Sequence, residues 1–215
     1  MSKKSKILFL FSALLLLAAC GGPTQEYHAN ELLLEESFNS ASAWESYAGG
    51  DVDIRVDDGE YRMQTDAGGY VWGLNEQEHD NVVIEVTSNQ LSSFENNAYG
   101  VMCRADESNN GDGYYFLISG DGYYLIAKGE GDNVNPLVEW TASSAINEGQ
   151  TENKIVAVCI DNYFALYVND EFLTEVNDSE YTSGYAGFAA AAFDGGAADV
   201  VFDDLTISVG SFFGD

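Results

Sequence analysis

Apolar residues in this chain recur at every second position, and that period constrains its fold more than any other feature. Val52, Ile54 and Val56 alternate with Asp51, Asp53, Arg55 and Asp57, and Val82, Ile84 and Val86 alternate with Val83, Glu85 and Thr87. Phe164, Leu166 and Val168 do the same against Ala165, Tyr167 and Asn169. Side chains of an extended strand point to opposite faces in turn, so each run puts one face on a core and the other on solvent or a second layer. Reversal signals separate the runs: Asp58-Gly59, Ser119-Gly120-Asp121-Gly122, Asp161-Asn162 and Asn169-Asp170. The only prolines are Pro23 and Pro136, so little interrupts strand pairing. No segment beyond residue 19 carries a sustained helical stripe, although 41–47 and 142–148 each have room for a single turn. About a dozen strands in one unit predict an all-β fold, a two-sheet antiparallel sandwich.

The start of the chain is different in kind. Lys3, Lys4 and Lys6 precede an apolar run from Ile7 to Leu17, followed by Ala18, Ala19, Cys20 and Gly21. Positive charge, a short apolar core and small residues before a cut site make an export signal. The run is shorter than the roughly 20 residues a bilayer crossing takes. Leu17-Ala18-Ala19-Cys20 resembles the lipobox of bacterial lipoproteins, which implies acylation of the Cys20 thiol and of the new amino terminus. Two or more chains, at about 0.8 kcal/mol per buried methylene, give lasting attachment. The competing reading is an ordinary signal peptide cut near Ala19, with Cys20 a chance thiol. The expected division is an export signal over 1–19, a lipidated Cys20 and flexible spacer over 20–31, a sandwich over 32–209 and a tail over 210–215. The expected location is the cell membrane or outer membrane, lipid-anchored and facing away from the cytoplasm. Gly21 does not resemble the aspartate signal for inner-membrane retention.

Charge narrows the partners. Cutting after Ala19 removes three lysines and no acid, so the net charge moves from −28 to −31. Only Arg55, Arg62, Arg104, Lys128 and Lys154 remain against 36 acids, a surface that repels nucleic acid and anionic headgroups. The apolar and aromatic content is too high for a disordered chain. Beyond Cys20 the cysteines are Cys103 and Cys159. In an oxidising compartment these two either pair or lie as two buried thiols.

The order of certain residues resembles a known superfamily. Phe38 and Trp44 come early, then Tyr99-Gly100-Val101-Met102-Cys103-Arg104, an acidic loop, and Tyr114-Tyr115-Phe116-Leu117-Ile118. A hairpin from Ser119 to Lys128 follows, then Asn153 to Cys159, Leu166-Tyr167-Val168-Asn169, Gly184, Gly187 and Phe202-Asp203-Asp204-Leu205. Together these resemble the concanavalin A-like lectin/glucanase superfamily, in its laminin-G-like and keto-disaccharide-hydrolase-like branch, over roughly 32–209. The resemblance implies a jelly roll with one concave sheet, a sugar site on that face or its rim, and in some members a structural calcium ion. Asn169 is followed by Asp170 where relatives commonly carry glycine, and both pairs make a tight turn. Fold alone does not assign function.

Hydrolysis of a glycosidic bond usually takes two flanking carboxylates, and the Glu-x-Asp-x-Glu string of laminarinase-like members is absent. His28 and His79 belong to no zinc-type cluster, and no Gly-x-Ser-x-Gly elbow or phosphate loop is present. For calcium, Asp106 and Asp112 bracket a loop of alternating oxygen side chains, with a polar hairpin loop as the plain alternative. Asp203 and Asp204 form a second candidate: strand alternation turns one of them inward unless a bulge intervenes. For a sugar, alternation puts Arg104 on the concave face or rim and takes one residue of each tyrosine pair out of the core. The candidate ligand residues are Arg104, Tyr115 and Tyr123, with Trp72 and Trp140 weaker and cross-strand packing as the alternative.

Three functions follow. The first is a non-enzymatic, membrane-tethered module binding a glycan; the second is a structural or adhesion module binding a surface protein; the third is a glycoside hydrolase with an unrecognised acid pair.

Overall fold

A computed structural model describes residues 21–40, 43–108, 110–131 and 133–214; the expected export signal and Cys20 lie outside the described residues. In chain order the strands are β1 (Tyr27–Glu36), β2 (Tyr47–Gly49), β3 (Val52–Asp57), β4 (Glu60–Thr65) and β5 (Gly69–His79). Next come β6 (Val82–Gln90), β7 (Asn97–Ala105), β8 (Gly113–Ile118), β9 (Tyr123–Glu130) and β10 (Asn133–Ala142). The last are β11 (Glu152–Ile160), β12 (Tyr163–Val168), β13 (Glu171–Asn177), β14 (Gly184–Ala192) and β15 (Ala198–Phe212). One sheet has nine strands in the order β13-β12-β11-β6-β15-β4-β3-β2, with β1 also paired to β15; the other has six, β10-β9-β8-β7-β14-β5. The fold is an all-β antiparallel sandwich of jelly-roll type.

The period-two runs meet between the sheets. Ile84, Val86, Phe164, Leu166, Phe202 and Ile207 from one sheet pack on Tyr99, Val101, Phe116, Ile118 and Phe188 from the other. Phe188 stacks on Phe202 at 4.2 Å and on Trp44 at 5.1 Å. Each such side chain contributes about 1.5–3 kcal/mol when fully buried. The reversal signals fall on hairpins: Asp58, Asp161, Asn169 and Asp170 all have positive φ, between 50° and 66°. Asn and Asp tolerate that left-handed region because their short polar side chains bond locally.

The sandwich is wider than the period suggested. Strand β1 starts at Tyr27 and β15 ends at Phe212, and these two residues are partners. Residues 27–31 and 210–212, expected as spacer and tail, are therefore strand. Their pattern is hard to read because His28 to Leu33 are exposed, so no buried face imposes alternation.

Two bulges reverse the alternation. In β15 the register shifts between Asp203 and Thr206, with Asp204 at φ 51°. Val200 and Phe202 face the core before the shift, Leu205 and Ile207 after it, and neither aspartate is buried. The expected inward acid does not occur. The shift sits where β15 exchanges β4 for β1 as a neighbour. In β7, Arg104 has φ 53° and the register against β14 slips between Tyr185 and Gly187. Tyr99, Val101 and Cys103 face the core, and Arg104 follows them inward instead of emerging on the outer face.

Candidate functional site

The outer face of the six-stranded sheet carries a second apolar cluster. Its floor is Leu74, Ala98, Met102, Ala105, Tyr115, Leu117, Leu125, Ala127, Ala189 and Ala191, none more than 2% exposed. A ligand therefore meets the half-buried rim packed on that floor: Tyr70, Trp72, Val134, Trp140, Tyr185 and Phe193. The loop between β7 and β8 closes one part of the face. A Cβ on Gly129 would lie 2.0 Å from the Gly111 carbonyl oxygen, and one on Gly111 would lie 2.9 Å from the Trp72 ring. Only bare backbone lets the loop lie this close.

Tyr115, expected as a ligand contact, belongs to the floor. It is fully buried, its hydroxyl donates to the Gly111 carbonyl at 2.7 Å, and its ring meets Tyr70 edge-on at 6.0 Å. Tyr123 is 41% exposed and lines a cleft of about 190 Å³ with Asn96, Asn97, Ser119, Asp121, Trp140 and Phe193. Trp140 meets Phe193 edge-on at 6.4 Å, and Phe193 meets Tyr70 at 6.1 Å, so rings run from the cleft across the face. Trp72 lies elsewhere, lining a cavity of about 430 Å³ with Glu45, Ser46, Tyr47, Val52, Ile54, Tyr70 and Val71.

The cleft's polar wall is preset. Asn97 is buried; its amide donates to Gln90 Oε1 at 3.1 Å and its Oδ1 accepts the Gly120 N–H at 3.0 Å. Asn96 donates to Asp194 at 2.8 Å. In the hairpin between β8 and β9, the Ser119 hydroxyl donates to Asp121 and accepts the Tyr123 N–H at 3.0 Å. Sequence reasoning missed Asn96 and Phe193 and ranked Trp140 low. Phe193 follows an alanine run past the end of β14, where no period marks it.

Arg104 does not emerge on the outer face of the six-stranded sheet; it lies at the base of a separate cavity of about 440 Å³, lined also by Asp80, Asn81, Asp161 and Ser183. It is 2% exposed, and its guanidinium donates to the Asp80 carbonyl at 3.2 Å, Asp161 carbonyl at 2.6 Å, Tyr181 carbonyl at 2.9 Å and Asn81 Oδ1 at 3.1 Å. It also lies 5.2 Å over the Phe164 ring. Burial lowers its pKa, with Tyr114, Asp161 and Asp80 pulling the other way. Its partners lie in the β5–β6, β11–β12 and β13–β14 connections, so it ties three loops together at one end of the sandwich. The network continues: Tyr114 receives the Tyr181 N–H at 3.2 Å and donates to Asp178, which also accepts from Lys128 at 3.3 Å. Burial pulls the Asp178 carboxyl upward, but bonds from Tyr114, the Glu180 amide and Lys128 outweigh it and hold its pKa low. Next to Arg104, Cys103 and Cys159 are bonded across the core, S–S 2.11 Å.

The acids considered for calcium are engaged in local hydrogen bonds. Asp106 accepts the Ser108 amide and hydroxyl, which lowers its pKa. Asp112 accepts from Asn110 and from the Gly131 N–H. Asp203 caps the Asp204 N–H at 2.7 Å within the bulge. Among the described residues no three His, Cys, Asp or Glu side chains are grouped to hold a metal.

No protein-family model matches the sequence, and none of the curated proteins matches it. Solved structures do. A carbohydrate binding module from Bacillus subtilis superposes with TM-score 0.62 at 16% identity, over 78% of this chain and 96% of that one. A protein of unknown function with a galectin-like fold, also from Bacillus subtilis, gives 0.64 at 13% identity, over 86% and 99%. The Bacillus licheniformis beta-glucanase gives 0.59 at 9% identity, over 85% and 99%. At such identities the likeness is one of fold: the chain shares the jelly-roll sandwich found in galectin-like proteins, glucanases and carbohydrate binding modules.

Proposed function

We propose that this protein is a lipid-anchored envelope module that binds a glycan, without hydrolysing it, in the cleft of Tyr123, Trp140 and Phe193. The observation that carries the reading is this cleft, where three aromatic rings meet the polar wall of Asn96, Ser119 and Asp121. Sugars have apolar ring faces and hydroxyl edges, and a site that offers aromatic surface beside a few fixed polar groups matches both. At about 190 Å³ the cleft is below the roughly 300–1,000 Å³ of drug-sized pockets, which suits one ring of a chain whose neighbours lie on the rim toward Tyr70.

The anchor fits this arrangement. The Thr24 N–H donates to Glu175 of β13 at 2.8 Å, and Tyr27 packs on Tyr167 at 5.7 Å. The tether thus leaves over the outer face of the nine-stranded sheet, opposite the cleft. A lipid on Cys20 turns the cleft away from the bilayer. Mass spectrometry of the membrane form tests the anchor, and an unmodified Cys20 would refute it. Glycan-array binding by the purified protein tests the site. Trp140→Ala and Tyr123→Ala should abolish binding while leaving the far-ultraviolet spectrum intact; binding that survives both places the site elsewhere.

A further inference from the structure

We infer that the ligand of this cleft is an uncharged glycan and that the protein excludes uronates and sulfated sugars. The inference rests on the glycan-binding reading and goes on to the ligand's chemistry. Beyond residue 19 the chain has five cationic side chains, and each is committed elsewhere. Arg55 is bracketed by Asp53 and Asp57 on β3. Arg62 makes a forked pair with Asp199, at 2.9 and 2.7 Å. Lys154 lies between Glu85 at 3.3 Å and Asp170 at 3.1 Å. These three belong to the nine-stranded sheet. Lys128 is on β9, but its alternation follows Tyr124 and Ile126 toward the core side, where it meets Asp178 at 3.3 Å. Arg104 is spent on three carbonyls and Asn81.

No cation therefore reaches the cleft, and the charges that do are negative. Asp121 stands in its wall and Asp194 beside Asn96, both exposed. A sugar carboxylate or sulfate is normally received by Arg, Lys or converging N–H donors. Here it would meet like charge at close range, on top of the field of a strongly acidic molecule. A neutral sugar meets only hydroxyl-compatible groups, for which Asp121 and Asn96 are good partners. The structure thus assigns charge exclusion to the same residues that would bond the ligand's hydroxyls.

The test uses the purified full chain and immobilised neutral oligosaccharides, each paired with its C6-carboxylated and its sulfated derivative. Neutral members should bind at least about tenfold more tightly at 10 mM salt, where charges act over roughly 30 Å, and the gap should shrink at 1 M salt, where the range is roughly 3 Å. Asp121→Asn with Asp194→Asn should narrow the low-salt gap several-fold. Equal or tighter binding of a charged derivative at low salt overturns the inference while leaving the glycan reading intact. Failure of every member to bind overturns both. A gap that salt does not change shows a steric filter and also overturns charge exclusion.

Discussion

At Asn97 strand β7 enters its sheet beside an open cleft, and at Arg104 it leaves through a closed polar network. Both ends carry a buried polar side chain with several hydrogen bonds, yet they do different work. Asn97 is bonded to Gln90 at the end of β6, to Phe94 and to Gly120 in the β8–β9 hairpin, and so shapes a wall that leaves aromatic rings accessible. Arg104 bonds carbonyls in three connecting loops and lies next to the Cys103–Cys159 bridge, which joins β7 of one sheet to β11 of the other. A buried polar group is informative only once its partners are known: one end of β7 shapes a wall, and the other ties connecting loops together. The contrast predicts that damage at the Arg104 end appears as lost stability and damage at the Asn97 end as lost binding.

The largest effect is expected from Arg104→Ala. It removes a buried guanidinium that bonds three carbonyls and an amide oxygen and packs on the Phe164 ring, and should cost about 3–5 kcal/mol in urea unfolding. Glycan affinity per folded molecule should stay unchanged; a loss of binding without loss of stability would erase the distinction between the ends. Next comes the double change Cys103→Ala with Cys159→Ala. The bridge closes a loop of sequence separation 56, and its removal should cost about 2–4 kcal/mol. Combined with Arg104→Ala the losses should not add, because the two features brace the same joint.

Trp140→Ala is the mirror test. It should lose about 2 kcal/mol or more of glycan affinity, measured by calorimetry, with a smaller change in unfolding midpoint. The smallest effect concerns pH. Asp178 is held below its ordinary pKa, so its contribution is fully present above the unfolded aspartate value near 4 and disappears as pH falls through the lower folded value. Wild type should therefore exceed Asp178→Asn by about 1 kcal/mol at pH 7, and the two melting curves should converge at the acid end. Curves that stay parallel down to low pH would show that Asp178 carries no charge-dependent part of the network.

Much of the scaffold was legible because its signals are local. The hairpins at Asp58, Asp161 and Asn169 follow from residues that tolerate positive φ, and the core faces of β6, β7, β8 and β12 follow from a period of two. The site was legible only in part. Tyr123 was placed among the candidates by a simple parity argument, and it does line the cleft. The same argument put Arg104 on the wrong side, because one residue in the left-handed region shifts everything after it by one face. Asp203 and Asp204 repeat the lesson in β15, where a bulge absorbs the acid that alternation would have buried.

Amino-acid order alone thus dictated strands, reversals, an acidic surface with few cations and two core-facing cysteines, since each depends on neighbours in the chain or on simple counting. Folding decided where Arg104 points, how far β1 extends, and that Trp140 from β10 meets Phe193 from beyond β14 beside Tyr123. Those outcomes depend on register shifts and on contacts between segments far apart in sequence. Their energies are set by three-dimensional packing that no local pattern encodes.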